Sequence, residues 1–149
     1  METLEEAREW LREHVKDGAE CPCCTQFAKV YRRKIYSRMA RLLILAWREA
    51  ETHWFYLPTT LKDNSGDFAK LRYWGLVEEQ DGEREDGSKH VGWWRITEKG
   101  EAYVKGELAV PKYARIYNGR CLGLVVDETA DIRDALGKHF SYSDLMAGV

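Results

Sequence analysis

Apolar residues recur along this chain in two periods, and the places where the period changes divide it into elements. Leu4, Ala7, Leu11 and Val15 stand at helical spacing, with Thr3 and Glu6 spaced as a capping box and Gly18 placed to end the helix. After a tight turn at Cys21-Pro22-Cys23-Cys24, the pattern predicts a helical stretch broken near Tyr36-Ser37. Ser37 would cap a second helix to about Thr52, with Met39, Leu42, Leu43, Ala46 and Trp47 on one apolar face. Trp54 to Leu57 reads as a short aromatic strand, and Pro58 to Lys62 as one or two helical turns opened by proline. Asp63-Asn64-Ser65-Gly66 is turn material.

A further helix starts near Ser65 or Gly66, buries Phe68, Leu71 and Trp74, and stops at Gly75. Leu76 to Gln80 and Val91 to Ile96 are strands joined by a Gly- and Asp-rich turn, and Thr97 is the N-cap of a helix carrying Ala102, Tyr103 and Val104. Tyr113 to Tyr117 and Arg120 to Val125 flank Asn118-Gly119, the strongest short hairpin signal, because both turn positions need positive φ. A helix over Glu128 to Leu136 ends at Gly137, and Ser141 to Met146 is a last short helix. The expected organisation is a single α+β domain over 1–149. It has an N-terminal helical extension (1–36), a core (37–106) and a C-terminal hairpin and helix (107–149).

Composition fits a folded domain: 149 residues, 44% hydrophobic and 32% charged. The net charge of −2 conceals segregation. Residues 2–20 hold seven acids and three bases, whereas Cys21 to Arg48 holds no acid and seven bases: Lys29, Arg32, Arg33, Lys34, Arg38, Arg41 and Arg48. That asymmetry points to a polyanionic or acidic partner. On a continuous helix Lys34, Arg38, Arg41 and Arg48 would share one stripe opposite the apolar face. The longest apolar run, Leu42 to Trp47, is far too short to span a membrane, and the acidic N-terminus is unlike a secretory leader. A cytoplasmic location with reduced or metal-bound cysteines is therefore expected.

The phrase Lys70-Leu-Arg-Tyr-Trp-Gly-Leu-Val-Glu78, followed by Trp94-Arg-Ile-Thr-Glu-Lys-Gly100, resembles the winged helix-turn-helix superfamily, in particular MarR-like and PadR-like regulators. The likeness covers about residues 37 to 105. The whole chain, with Cys21-Pro-Cys-Cys24, Ala28-Lys-Val-Tyr-Arg-Arg-Lys34 and Phe68-Ala-Lys-Leu-Arg-Tyr-Trp-Gly-Leu76 together, is also similar to small bacteriophage and prophage proteins. The resemblance implies that the helix at Gly66 to Trp74 enters the major groove of duplex DNA, with Lys70, Arg72 and Tyr73 facing bases or phosphates and Lys62 on a phosphate. Lys34, Arg38 and Arg41 would clamp the backbone. One feature of the residues opposes the usual docking. Positions 78–90, the wing, contain six acids and two bases and would be repelled by phosphates.

Two further chemistries are open. Cys21 and Cys24 have Cys-x-x-Cys spacing, as in a zinc knuckle, and Cys23, Cys121, His14 or a second subunit would have to complete a structural zinc. Reduced thiols at a turn are the simpler alternative. No Ser/His/Asp or Cys/His signature and no Gly-rich phosphate loop accompanies them. The expected function is a non-catalytic regulatory or accessory protein binding double-stranded DNA, as a homodimer if the extensions pair. The rival is a protein-interaction module whose basic face meets an acidic protein partner.

Overall fold

The computed structural model describes residues 3–63, 65–82, 92–118 and 120–148. In chain order the elements are α1 (Leu4–His14), β1 (Ala19–Glu20), β2 (Phe27–Ala28), β3 (Tyr31–Lys34), α2 (Ser37–Ala50), β4 (Phe55–Tyr56) and α3 (Leu57–Thr60). They continue with α4 (Asp67–Lys70), which runs into a 3-10 turn at Leu71–Trp74, then β5 (Val77–Glu79), β6 (Trp93–Ile96) and α5 (Glu98–Val104). The chain closes with β7 (Val110–Tyr117), β8 (Arg120–Ala130), α6 (Ile132–Leu136) and α7 (Tyr142–Ala147). The architecture is mixed α+β, with antiparallel sheets ordered β1-β2, β3-β7-β8 and β4-β6-β5.

One expectation is overturned. The stretch between the cysteine turn and Tyr36 is not helical: β3 is a strand paired with β7, Arg32 opposite Arg115 and Lys34 opposite Tyr113. Phe27, Val30, Tyr31 and Ile35 do stand at helical spacing, but β7 offers β3 a row of backbone partners from far along the chain, and that pairing overrides the local pattern. Lys34 therefore does not share the helical stripe of Arg38, Arg41 and Arg48, since α2 begins only at Ser37. The C-terminal helix is also shorter than expected, because β8 runs to Ala130. Asp131 then accepts from the Asp134 amide while Asp134 accepts from the Asp131 amide, a capping box that opens the helix.

Two expected helix ends also shift: the cap position of α2 is Tyr36, with no side-chain hydrogen bond, and Ser37 is its first residue, while α1 stops at His14 with Val15 as its cap, ahead of Gly18. Elsewhere the local signals lead to the elements they imply. Phe68, Leu71 and Trp74 are all at or below 1% exposure. Burial of Phe68 and of Leu71 is worth about 1.5–3 kcal/mol each. Gly75 (φ +74) takes the left-handed conformation that ends the 3-10 turn. Thr97 caps α5 by accepting from the Gly100 amide (3.1 Å), and its hydroxyl donates to the Gly75 carbonyl (2.7 Å). Gly100 is needed for another reason: a Cβ there would collide with the Leu76 carbonyl oxygen. The glycine lets α5 lie directly on the chain leading into β5.

Helix α2 is the centre of the core. Met39, Ala40, Leu42, Leu43, Ile44 and Ala46 are buried, and the helix packs on α4, α5, α6, α7 and β6. Three polar tips tie the C-terminal elements to this centre. The Trp74 indole N–H donates to the Pro111 carbonyl (2.7 Å), the Tyr103 hydroxyl to the Asp131 carbonyl (2.9 Å), and the Tyr142 hydroxyl to the Val104 carbonyl (2.6 Å). Each satisfies a group that would otherwise be costly to bury. The first of these bonds fixes the β3-β7-β8 sheet beside the 3-10 turn after α4, and so creates the groove described next.

Candidate nucleic-acid interface

All four residues of β3, Tyr31-Arg-Arg-Lys34, are exposed on an edge strand. The Tyr31 ring lies between Lys29 Nζ (5.5 Å) and the Arg33 guanidinium (5.0 Å). On β7 the Tyr113 ring lies beneath the Arg32 guanidinium (4.6 Å) and Lys112 Nζ (5.7 Å). These contacts hold cations over aromatic faces at modest gain per pair. Arg32 stands directly opposite Arg115, and like charges so paired across strands destabilise a sheet. The positive charge of this surface is therefore not explained by sheet stability.

Between β3 and the α4 segment runs a groove of about 500 Å³. Arg32, Arg33 and Lys34 form one wall, Lys70 and Tyr73 the other, and Trp74 lies between them. No acidic side chain among the described residues lines it. The expected phosphate-clamp residue Lys34 thus meets two expected groove-facing residues, Lys70 and Tyr73, and Arg32 and Arg33 join them. Those two arginines are visible in the sequence as part of a basic run but not as site residues, because only the pairing of β3 with β7 brings this strand beside the α4 segment.

Behind this groove lies the one charged side chain that is fully buried among the described residues. Asp67 accepts from the Tyr36 hydroxyl (2.5 Å) and from Lys70 Nζ (3.2 Å) through Oδ1. Its Oδ2 has no hydrogen bond among the described residues, and the Arg38 guanidinium at 3.5 Å supplies charge rather than a bond. Burial alone would push the Asp67 carboxyl up. The hydrogen bonds from Tyr36, Lys70 and Ser65, with the Lys70 charge, outweigh it and hold the carboxyl below its ordinary value. Tyr36 moves the other way, pushed up to about 12 by burial, by its bond to Asp67 and by that residue's charge. At neutral pH an ionised Asp67 thus sets the positions of Lys70, Arg38 and a protonated Tyr36.

The remaining expected residues lie around this site rather than in it. Arg72 is exposed, bonded to the Ala69 carbonyl (3.1 Å) and stacked over Tyr73 (4.9 Å). Lys62 is exposed on the turn after α3 at φ +53 and does not line the groove. Arg41 is half-buried over the Phe140 ring (5.5 Å), facing the C-terminal segment. Of the expected wing, residues 83–91 lie outside the described residues. At its base Glu78 is ion-paired with Arg95 across the β5–β6 hairpin, Trp94 is buried and Trp93 is 42% exposed.

The cysteine turn is tied by Cys21 N–H to the Gln26 carbonyl (2.7 Å) and Thr25 N–H to the Cys21 carbonyl (2.9 Å). Backbone amides of Cys24 and Cys23 directed at the Cys21 thiol hold it below its ordinary value. All four cysteines are free, and His14 stacks on Trp10 with Nδ1 2.7 Å from the Trp10 carbonyl. Among the described residues no three His, Cys, Asp or Glu side chains converge as a metal site, so Cys21, Cys23, Cys24 and His14 are not assembled into one.

No family model, no curated protein and no solved structure matches the chain. No helix among the described residues is long and apolar enough to cross a membrane.

Proposed function

We propose that this chain binds double-stranded DNA as a non-catalytic regulatory or accessory protein, using α2 to α5 as a winged helix and β3 as its main phosphate grip. The order helix, strand, helix, helix, hairpin, helix over 37–104, with the sheet order β4-β6-β5, supports the scaffold. The observation that carries the function is the groove in which Lys34, Arg32 and Arg33 meet Lys70 and Tyr73, with no acid among the described residues that line it. Duplex phosphates entering it would release counterions, giving affinity that falls steeply with salt. Lys70 and Arg72 would be the side chains nearest the bases, and the cations of β3 would fix register.

Fluorescence anisotropy with a random duplex at about 50 mM salt tests this directly. Saturable binding that weakens as salt rises is expected. Binding that is absent, or indifferent to salt, would remove the groove from the account. The acids at the base of the hairpin, Glu78 and Glu79, favour one second reading, in which the same groove receives an acidic protein segment. An acidic peptide that binds the groove while duplex does not would select it.

A further inference from the structure

Lys34 stands on the wall of a second concavity, on the other side of the β3–α2 junction from the groove. It measures about 850 Å³ and lies between that junction and the β8–α6 junction, and its basic side chains are Lys34, Lys112, Lys138 and His139. This size falls within the roughly 300–1,000 Å³ of small-ligand sites. The basic side chains come from separate pieces of chain: the end of β3, the start of β7, and the loop after α6. Ser37 and Thr129 add hydroxyls to the lining. The acid on the wall, Asp134, is already committed, since its carboxylate accepts from the Asp131 amide at 3.0 Å. Three lysines and a histidine thus surround a cleft in which, among the described residues, one carboxylate, held by its own helix cap, is the opposing charge.

We propose that this cleft binds a phosphate group. Lysine ammonium groups act on phosphate as point charges, and the hydroxyls of Ser37 and Thr129 can donate to its oxygens. Ser37 is also the first residue of the 14-residue α2, which has no side-chain cap and no acid in its first turn, so its field adds to that of the lysines. The inference does not depend on the DNA reading, because Lys112, Lys138 and His139 lie outside the groove between β3 and α4. The phosphate has two sources, a free phosphorylated small molecule or a phosphate of a bound nucleic-acid backbone, and the two separate by experiment.

The test is a titration of the full chain with inorganic pyrophosphate at constant ionic strength, followed through backbone amide NMR shifts. Saturable shifts confined to the residues around Ser37, Thr129 and His139 are expected, with half-saturation below about 1 mM, the affinity of a weak small-ligand site. The variant Lys112→Glu/Lys138→Glu should weaken pyrophosphate at least tenfold while its amide spectrum elsewhere stays native. Lys34 is left intact because it lines both concavities. Shifts that are unsaturable, spread over every basic surface, or retained in the double variant would overturn the site. Arg33→Glu, a groove change, should leave pyrophosphate binding intact even if it abolishes duplex binding. If the double variant loses duplex affinity together with pyrophosphate, the cleft takes a backbone phosphate. If duplex affinity is unchanged, it takes a separate phosphorylated ligand.

Discussion

The β3 edge and the β5–β6 hairpin are both short pieces of antiparallel sheet beside the α4 segment, and they differ in almost everything that matters to a polyanion. All four residues of β3 are exposed, three are cations, and β7 behind it adds Arg115. The hairpin pairs Val77 with Ile96 inside the core, and its outer base carries Glu78, Glu79 and Asp81, with Arg95 spent on Glu78. The lesson is that the region with the family-like phrase builds the scaffold, while a strand outside that phrase supplies the charge. A phosphate backbone is attracted where cations are unopposed, so the two regions should respond oppositely to mutation.

Charge reversal at β3 should break the comparison most strongly. Arg33→Glu/Lys34→Glu is expected to lower duplex affinity at least a hundredfold at about 100 mM salt, close to 2.7 kcal/mol, as read by anisotropy. Next comes a change that acts on the scaffold alone. Gly100→Ala forces a Cβ into the Leu76 carbonyl and should cost about 1–3 kcal/mol in urea unfolding, with duplex affinity of the remaining folded protein nearly unchanged. Loss of affinity well beyond the unfolded fraction would show that hairpin placement matters more to binding than proposed.

Asp67→Asn lies between the two regions, since it releases Lys70 and Arg38 while keeping a partner for Tyr36. About 1–2 kcal/mol of stability at pH 7 should go, as read by urea unfolding. The pH dependence has a definite sign. Because the Asp67 carboxyl is held below its ordinary value, its contribution is complete above about pH 4 and is lost as the pH falls through the lower folded-state value. Urea midpoints of wild type and variant should therefore converge below about pH 4; a constant difference would deny the ionised Asp67 its role. The smallest effect belongs to the hairpin: Glu78→Gln should change duplex affinity by less than about threefold, in the direction of tighter binding.

How much of this is legible in the sequence follows from the range of each interaction. Local signals suffice for α2, for the Gly75 stop, for the Thr97 cap and for the hairpin around Asn118-Gly119, because each is decided within a few residues. Lys70 and Tyr73 stand out through the family-like phrase and Lys34 through its charge. The strand β3 reads wrongly because all four side chains are exposed, which erases the alternation that betrays a strand, and its partner β7 lies far along the chain. With β3 unread, Arg32 and Arg33 have no predicted direction. Asp67 is equally hidden, since its partner Tyr36 is 31 residues away and only the fold brings them together. Helix α1 shows the opposite limit: its apolar stripe reads clearly, yet only Ala7 is buried, because periodicity reveals a face but not what covers it.

The most direct test of the central claim is the salt dependence of duplex binding in two variants measured side by side. Replacing Arg32, Arg33 and Lys34 by Ala should lower the magnitude of the slope of log K against log salt by about 2–3, roughly 0.9 for each phosphate no longer neutralised. Replacing Glu78 and Glu79 by Gln should leave that slope within about 0.5 of wild type. An unchanged slope in the β3 variant would contradict the account, whatever the hairpin does.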